Sequence, residues 1–206
     1  MEERLRMASK KRILIVIEGL DGAGLSTQAA LLAGYLRDNG EEVILTKEPT
    51  TSSIGNLIKA ALKHEWNPSP PALQLLFAAD RAHHLQNEIE PALRENKIVI
   101  SDRYILSSLA FGSIDVDQEF LIQINSKFRK PDLTFIIDTP SEVCLKRINE
   151  NRATLELFEE ERRLEKVRKN YIALKKYFKN TFIVDGNREK EEVFKDIRGV
   201  FHLLYV

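Results

Sequence analysis

The chain has 206 residues, enough for one domain with a sizeable core, and 43% of them are hydrophobic. Lysine plus arginine (31) balance aspartate plus glutamate (31), which argues against a protein that binds nucleic acid over its whole surface. A single cysteine, Cys144, excludes an intrachain disulfide and a thiolate zinc cluster and points to a reducing, cytoplasmic setting, and no apolar run approaches the ~20 residues of a membrane span.

Met1 to Arg12 is charged, and the apolar run behind it is too short for a signal peptide. Arg12 to Ile17 is β-branched and continuously apolar, which predicts a buried strand stopped by Glu18-Gly19. Ser26 to Arg37 reads as a helix ended by Asp38-Asn39-Gly40. A second strand is expected over Glu42 to Thr46 and a helix over Ile54 to Lys63. The turn Asn67-Pro68-Ser69-Pro70-Pro71 launches a long helix, Ala72 to Arg94, with Pro91 marking a bend or its end. A third strand covers Ile98 to Ser101, and helical pattern resumes over Tyr104 to Gly112 and Asp117 to Phe128. Leu133 to Ile137 is a fourth strand and Ser141 to Asn149 a helix. After the polar interruption Glu150 to Thr154 comes a long charged helix, Leu155 to Phe178. Phe182 to Val184 is the last strand and Glu189 to Leu204 the last helix. Short apolar strands alternating with helices predict an α/β fold, a parallel sheet covered on both faces, with ligands beyond the carboxyl ends of the strands.

Two of those ends carry chemistry. Gly19-Leu20-Asp21-Gly22-Ala23-Gly24-Leu25-Ser26-Thr27 follows a strand and opens a helix, the context of a phosphate-binding loop. Its glycines let backbone N–H groups surround phosphate oxygens at a helix N-terminus, and Ser26 is suited to ligate Mg²⁺. Leu25 stands where such loops carry lysine, so the motif is incomplete; the loop is expected to be exposed around it. At the second end, Asp102 is suited to hold Mg²⁺ or its water, and Arg103 to grip an acceptor phosphate. Phe77 and Arg81 lie four residues apart on the long helix, a ring for stacking beside a guanidinium for hydrogen bonding. The neighbouring His83 and His84 read as surface or packing residues. Arg147 and Arg152 flank the polar interruption, where a mobile lid over about 147–158 can carry cations to a nucleotide. The charged run from Glu159 to Lys169 reads mostly as a solvated helix face.

In combination these motifs resemble the thymidylate kinases, the dTMP kinases among nucleoside-monophosphate kinases. The resemblance spans nearly the whole chain. It rests on Glu18-Gly19-Leu20-Asp21-Gly22-Ala23-Gly24, Ser26-Thr27-Gln28, Lys47-Glu48-Pro49, Phe77-Ala78-Ala79-Asp80-Arg81, Asp102-Arg103-Tyr104, Ser107-Ser108-Leu109-Ala110-Phe111, Pro131-Asp132-Leu133-Thr134, Leu157-Phe158-Glu159, Arg168 with Tyr171, and Val184-Asp185-Gly186. It implies a single P-loop kinase domain over 1–206: a three-layer fold with five parallel strands flanked by helices, plus a small lid. The implied reaction moves the γ-phosphoryl group of ATP to dTMP with Mg²⁺, for dTTP synthesis, in a cytoplasmic homodimer that engages neither nucleic acid nor membrane.

The resemblance also implies roles. Phe77 stacks on thymine, Arg81 and Ser108 contact the base, Phe111 disfavours a ribose, and Asp21 meets the 3′-hydroxyl. Arg103, helped by Lys47, binds the acceptor phosphate. Residues Gly19 to Thr27 bind ATP, Ser26 and Asp102 hold the metal, and Arg103, Arg147, Arg152 and Asp21 serve the transfer. Leu25 leaves two other readings open: a weak or inactive nucleotide-binding paralogue, or a kinase for another deoxynucleotide.

Overall fold

Five short strands build the sheet: β1 (Leu14–Gly19), β2 (Val43–Lys47), β3 (Ile98–Asp102), β4 (Leu133–Asp138) and β5 (Thr181–Asp185). The structure is a computed structural model describing residues 12–148 and 155–205, with backbone alone for 155–159. Strand order is β2-β3-β1-β4-β5 and every neighbouring pair is parallel. β1 is buried at every position and β4 at all but its last, as strands covered on both faces must be. The edge strands β2 and β5 mix buried, half-buried and exposed residues. The expected five-stranded parallel sheet is therefore observed.

The helices are α1 (Leu25–Asp38), α2 (Ser53–Leu62), α3 (Pro70–His84), α4 (Glu90–Arg94), α5 (Ile105–Gly112), α6 (Gln118–Asn125), α7 (Ser141–Ile148), α8 (Leu155–Leu174) and α9 (Lys190–Tyr205). Local chemistry starts several of them. The Ser52 side chain accepts from the Gly55 N–H at the head of α2, and Asp117 does the same from Phe120 at α6. Pro70 and Pro71 open α3, where their missing N–H groups cost nothing. On the sheet, α1 packs with α9 and α5 packs with α8.

Two sequence expectations change. The long helix expected over 72–94 is α3, then a π-helical turn (Leu85–Ile89), then α4. Pro91 has no N–H for the carbonyl four residues back, and its ring crowds that carbonyl; the wider π turn just before it relieves both. The first strand runs past Ile17, because Glu18 and Gly19 keep pairing with Ile136 and Ile137 of β4. Glu18 is thus buried strand, not a stop.

From β1 the chain crosses to β2 on one side of the sheet; from β3 it crosses to β4 on the other. The carboxyl ends of β1 and β3 are adjacent, with Ile17 opposite Asp102, so a crevice opens between them. The loop leaving β1 is pressed against α7. A Cβ on Gly22 would lie 2.5 Å from the Cys144 carbonyl oxygen, and its φ of +79° is one that side chains resist. Gly22→Ala is expected to lower stability by roughly 2–4 kcal/mol, the combined cost of a left-handed residue and overpacking. Urea unfolding measures it; an unchanged midpoint would mean that the loop does not bear on α7.

Candidate functional site: two cavities sharing one arginine

The first cavity, about 340 Å³, lies between α3, α5 and the ends of β1 and β3. Phe77, Arg81, Ser108 and Phe111 line it together with Asp21 and Arg103, so six sequence-predicted residues meet in one place. Lys47 does not join them. It is exposed at the end of β2, in register with Asp102 and outside the cavity lining.

Arg81 is 1% exposed. Its Nε and Nη2 donate to Glu48 Oε2 (3.0 and 2.7 Å) and Nη2 also donates to Ser108 Oγ (3.0 Å). Its Nη1 donates to Asn125 Oδ1. A guanidinium has five N–H groups, so one, on Nη1, remains for a ligand. Arg81 therefore builds the wall first and contacts a base second. Glu48 is fixed in turn by His84, whose Nδ1 lies 3.1 Å from Oε1 and whose Nε2 lies 2.8 Å from Thr46 Oγ1. Asp80 anchors the loop after β2 by accepting from the Thr50 N–H and from the hydroxyls of Thr50 and Ser52.

The second cleft, about 620 Å³, is lined by Leu20, Asp21, Gly22, Ala23, Gly24, Leu25, Ser26 and Thr27, with Asp102, Arg103, Arg147, Arg188 and Lys190 around it. Gly24 caps α1 at φ +95° without a side-chain hydrogen bond, and a Cβ there would meet nothing within 4 Å. Its glycine is needed for backbone conformation, and the space in front is open. The first turn of α1 leaves N–H groups without intrahelical acceptors at the head of this cleft, which suits an anion. The Ser26 hydroxyl donates to Asp102. A hydroxyl and a carboxylate are hard oxygen ligands of the kind Mg²⁺ takes when it keeps water and substrate phosphates as its other ligands. No cluster of three or more His, Cys, Asp or Glu suited to a metal occurs among the described residues.

Leu25 is not exposed. It is 5% accessible and belongs to the core, with Cδ1 3.4 Å from where a Gly19 Cβ would stand. Apolar as it is, the side chain folds under the loop. Arg147 reaches over the same loop with long contacts to the carbonyls of Gly22 (3.4 Å) and Gly186 (3.4 and 3.5 Å). Arg152 and the rest of residues 149–154 lie outside the described residues; of the lid expected over 147–158, residues 155–158 are the first turn of α8.

Arg103 and Asp21 line both cavities. Arg103 Nη2 donates to Asp21 Oδ1 (2.7 Å), and Nη1 donates to the Gly19 carbonyl (3.0 Å), Ser107 Oγ (3.2 Å) and Tyr171 Oη (3.3 Å). Its guanidinium also lies 5.3 Å from the centre of the Phe111 ring. Beneath it, the Ser107 hydroxyl donates to Glu18 and lies 2.8 Å from Tyr171 Oη. Burial pushes the Glu18 carboxyl from 4.5 up to about 7, against the lowering effect of Ser107 and Arg103. Burial likewise holds the Tyr171 phenol well above its ordinary range, so it stays a hydroxyl. The run from Glu159 to Lys169 is only partly solvated. Arg163 lines the first cavity and pairs with Asp115, and Arg168 grips Asp138 with Nε (2.6 Å) and Nη2 (3.0 Å). The chemistry of Glu18, Asn125 and His84 escapes a reading by motif, because only the fold brings these residues under Arg81 and Arg103.

The thymidylate kinase family model matches residues 17–197. The chain is similar to the probable thymidylate kinase of Pyrococcus horikoshii, with 45% identity over 190 residues, 89% of this chain and 92% of the relative. It is also similar to probable thymidylate kinase 1 of Saccharolobus solfataricus, 39% identical over 184 residues, covering 88% and 93% of the two chains. Among solved structures, the crystal structure of thymidylate kinase from Ehrlichia chaffeensis superposes with a TM-score of 0.72 at 27% identity, covering 92% of this chain and 98% of that one.

Glu18 makes stability depend on pH. Between pH 4.5 and 7 the folded chain holds a proton that the unfolded chain has released, so stability falls as pH rises through that window and levels off above it. Relative to Glu18→Gln, the wild type is expected to lose on the order of 2–3 kcal/mol between pH 5 and 8. Denaturant titrations at both values check this; parallel pH profiles would contradict it.

Proposed function

The chain belongs to the thymidylate kinase family, a family of nucleoside-monophosphate kinases, and its reaction is phosphoryl transfer; from that premise we propose how its two cavities divide the work. The cleft over the glycine loop takes ATP, and the cavity between α3 and α5 takes dTMP. The observation that carries this reading is the pair shared by both spaces, Arg103 with Asp21. A cation there sits between two phosphate groups that must meet in line.

In the proposed reaction a phosphate oxygen of dTMP forms a bond to the γ-phosphorus as the bond from that phosphorus to the β–γ bridging oxygen breaks. The products are dTDP and ADP. The acceptor is already an oxyanion, so no general base is required. Phe77 offers a stacking face, Arg81 its remaining N–H, and Phe111 bulk beside Arg103 at the sugar end. Backbone N–H groups at the head of α1 hold the donor phosphates. Ser26 and Asp102 would hold Mg²⁺, which would neutralise charge on the donor phosphates. Arg147 is the described cation best supported as a substitute for the missing loop lysine, since it already reaches across the loop. The reading extends to a cytoplasmic homodimer. No described helix is long and apolar enough to cross a membrane, and Leu57, Trp66 and Leu75 leave apolar surface exposed on and between α2 and α3.

A coupled ADP-release assay with a panel of nucleoside monophosphates tests the assignment. dTMP is expected to be the preferred acceptor, ahead of dCMP and dGMP; equal kcat/KM for dCMP would contradict it. Arg81→Ala is expected to raise KM for dTMP ten- to hundredfold, because it removes a charged donor and leaves Glu48 buried without its partner.

Position 25 gives a second test. A lysine there can run its stem along the buried path of Leu25 and carry its ammonium into the cleft. Leu25→Lys is expected to raise kcat about tenfold or more with ATP saturating, the mark of a donor felt mainly in the transition state. Arg147→Ala is expected to lower kcat by more than about tenfold on the same ground. Steady-state kinetics of the three forms decide it. A loss on Arg147→Ala with no gain on Leu25→Lys would mean that Arg147 alone supplies the charge; no change in either would remove both from the transfer.

A further inference from the structure

Gln74 is 7% exposed, and its Oε1 has no hydrogen-bond partner. A buried acceptor left unpaired is costly, and in native proteins such a group calls for a reason. Gln74 stands in the wall of the α3–α5 cavity, three residues before Phe77 and seven before Arg81, on the same face of α3. Its amide is closely confined. A Cβ on Gly112 would lie 2.9 Å from Gln74 Cδ and 3.0 Å from its Oε1, so α5 carries glycine where the amide needs room.

The proposed acceptor nucleotide carries a pyrimidine-2,4-dione, whose imide edge presents one N–H donor between two carbonyl acceptors. Most acceptor residues of the wall already take a hydrogen bond from the protein. Arg81 only donates. Ser108 Oγ already accepts from Arg81, and both Glu48 oxygens are engaged by Arg81 and His84. Asp115 is paired with Arg163, and Asp21 with Arg103. Among the described residues of this wall, Gln74 Oε1 is the buried side-chain acceptor left without a partner; it lies against Gly112 of α5, and a half-turn of the amide about its last bond brings it to the cavity.

We propose that Gln74 is a base-binding residue whose Oε1 accepts the imide N–H of the thymine ring. The proposal rests on the thymidylate reading of the cavity. Gln74, Phe77 and Arg81 then form one stripe that reads the ring by acceptor, face and donor.

The test is a cycle between the side chain and the ligand atom, read by calorimetry on the full chain. Wild type, Gln74→Ala and Gln74→Met are titrated with dTMP and with N3-methyl-dTMP, which lacks the imide N–H. Wild type is expected to bind N3-methyl-dTMP at least about tenfold more weakly than dTMP. Gln74→Ala is expected to bind dTMP roughly tenfold more weakly than wild type does, and to bring the ratio between the two ligands below about threefold. Gln74→Met keeps the volume and is expected to weaken dTMP in the same way. ATP affinity and thermal midpoint should hold in at least one variant. A ligand ratio unchanged by both substitutions would overturn the proposal and leave Gln74 a wall residue. A wild type that binds dTMP no better than other nucleotides would fail the thymidylate reading itself, and the proposal with it.

Discussion

The arrangement depends on one backbone position. Arg103 sits at φ +73°, a left-handed conformation that costs a residue with a side chain about 1–2 kcal/mol. Its neighbours hold it there. The Arg103 N–H donates to the Ile17 carbonyl (2.9 Å), and the Ser101 hydroxyl donates to the Arg103 carbonyl (2.8 Å). The sharp turn sends two consecutive side chains to different work. Asp102 turns to Ser26 at the head of α1, and Arg103 turns between the two cavities to Asp21 and Gly19. A relaxed backbone at Arg103 would separate the parts of the site. Strain here is tolerated because strand pairing and four guanidinium contacts over-determine it.

Beneath each cavity lies a buried polar network, and the two share a logic. Arg81 is held by Glu48, Asn125 and Ser108; Arg103 rests on Ser107 and Tyr171, which surround Glu18. Buried charges of this kind add little net stability, since desolvation offsets most of the attraction. What they supply is position. Each guanidinium is fixed before a ligand arrives, which reduces the ordering cost of binding and of transfer. His84 belongs to this supporting layer, holding Glu48 from outside the cavity lining.

Much of this was legible in the sequence, for definite reasons. The β-branched runs beginning at Arg12 and Ile98 mark fully buried strands, and the glycines between Gly19 and Gly24 mark the strand-to-helix loop. Phe77 and Arg81 follow from helical spacing, and Asp102-Arg103 from a strand end. Less legible was what depends on contacts distant in sequence. Glu18 reads as a strand stop because its charge hides the pairing with Ile136. The burial of Arg81 is not visible in the sequence, because its partners Glu48 and Asn125 lie 33 and 44 residues away. Leu25 reads as a gap in an exposed motif, whereas the fold makes it part of the core. The π turn before Pro91 and the isolation of Lys47 from the cavity likewise appear only in three dimensions.

In the proposed function, Arg103 and Asp21 join two nucleotide sites across one shared boundary. The direct measurement is competition binding of a two-headed ligand, adenosine and thymidine bridged by five phosphates. Displacement of this ligand by ATP and by dTMP alike is expected, with an affinity at least ~100-fold above either nucleotide alone, because the second half binds intramolecularly. Displacement by only one of the two nucleotides, with no gain in affinity, would contradict it.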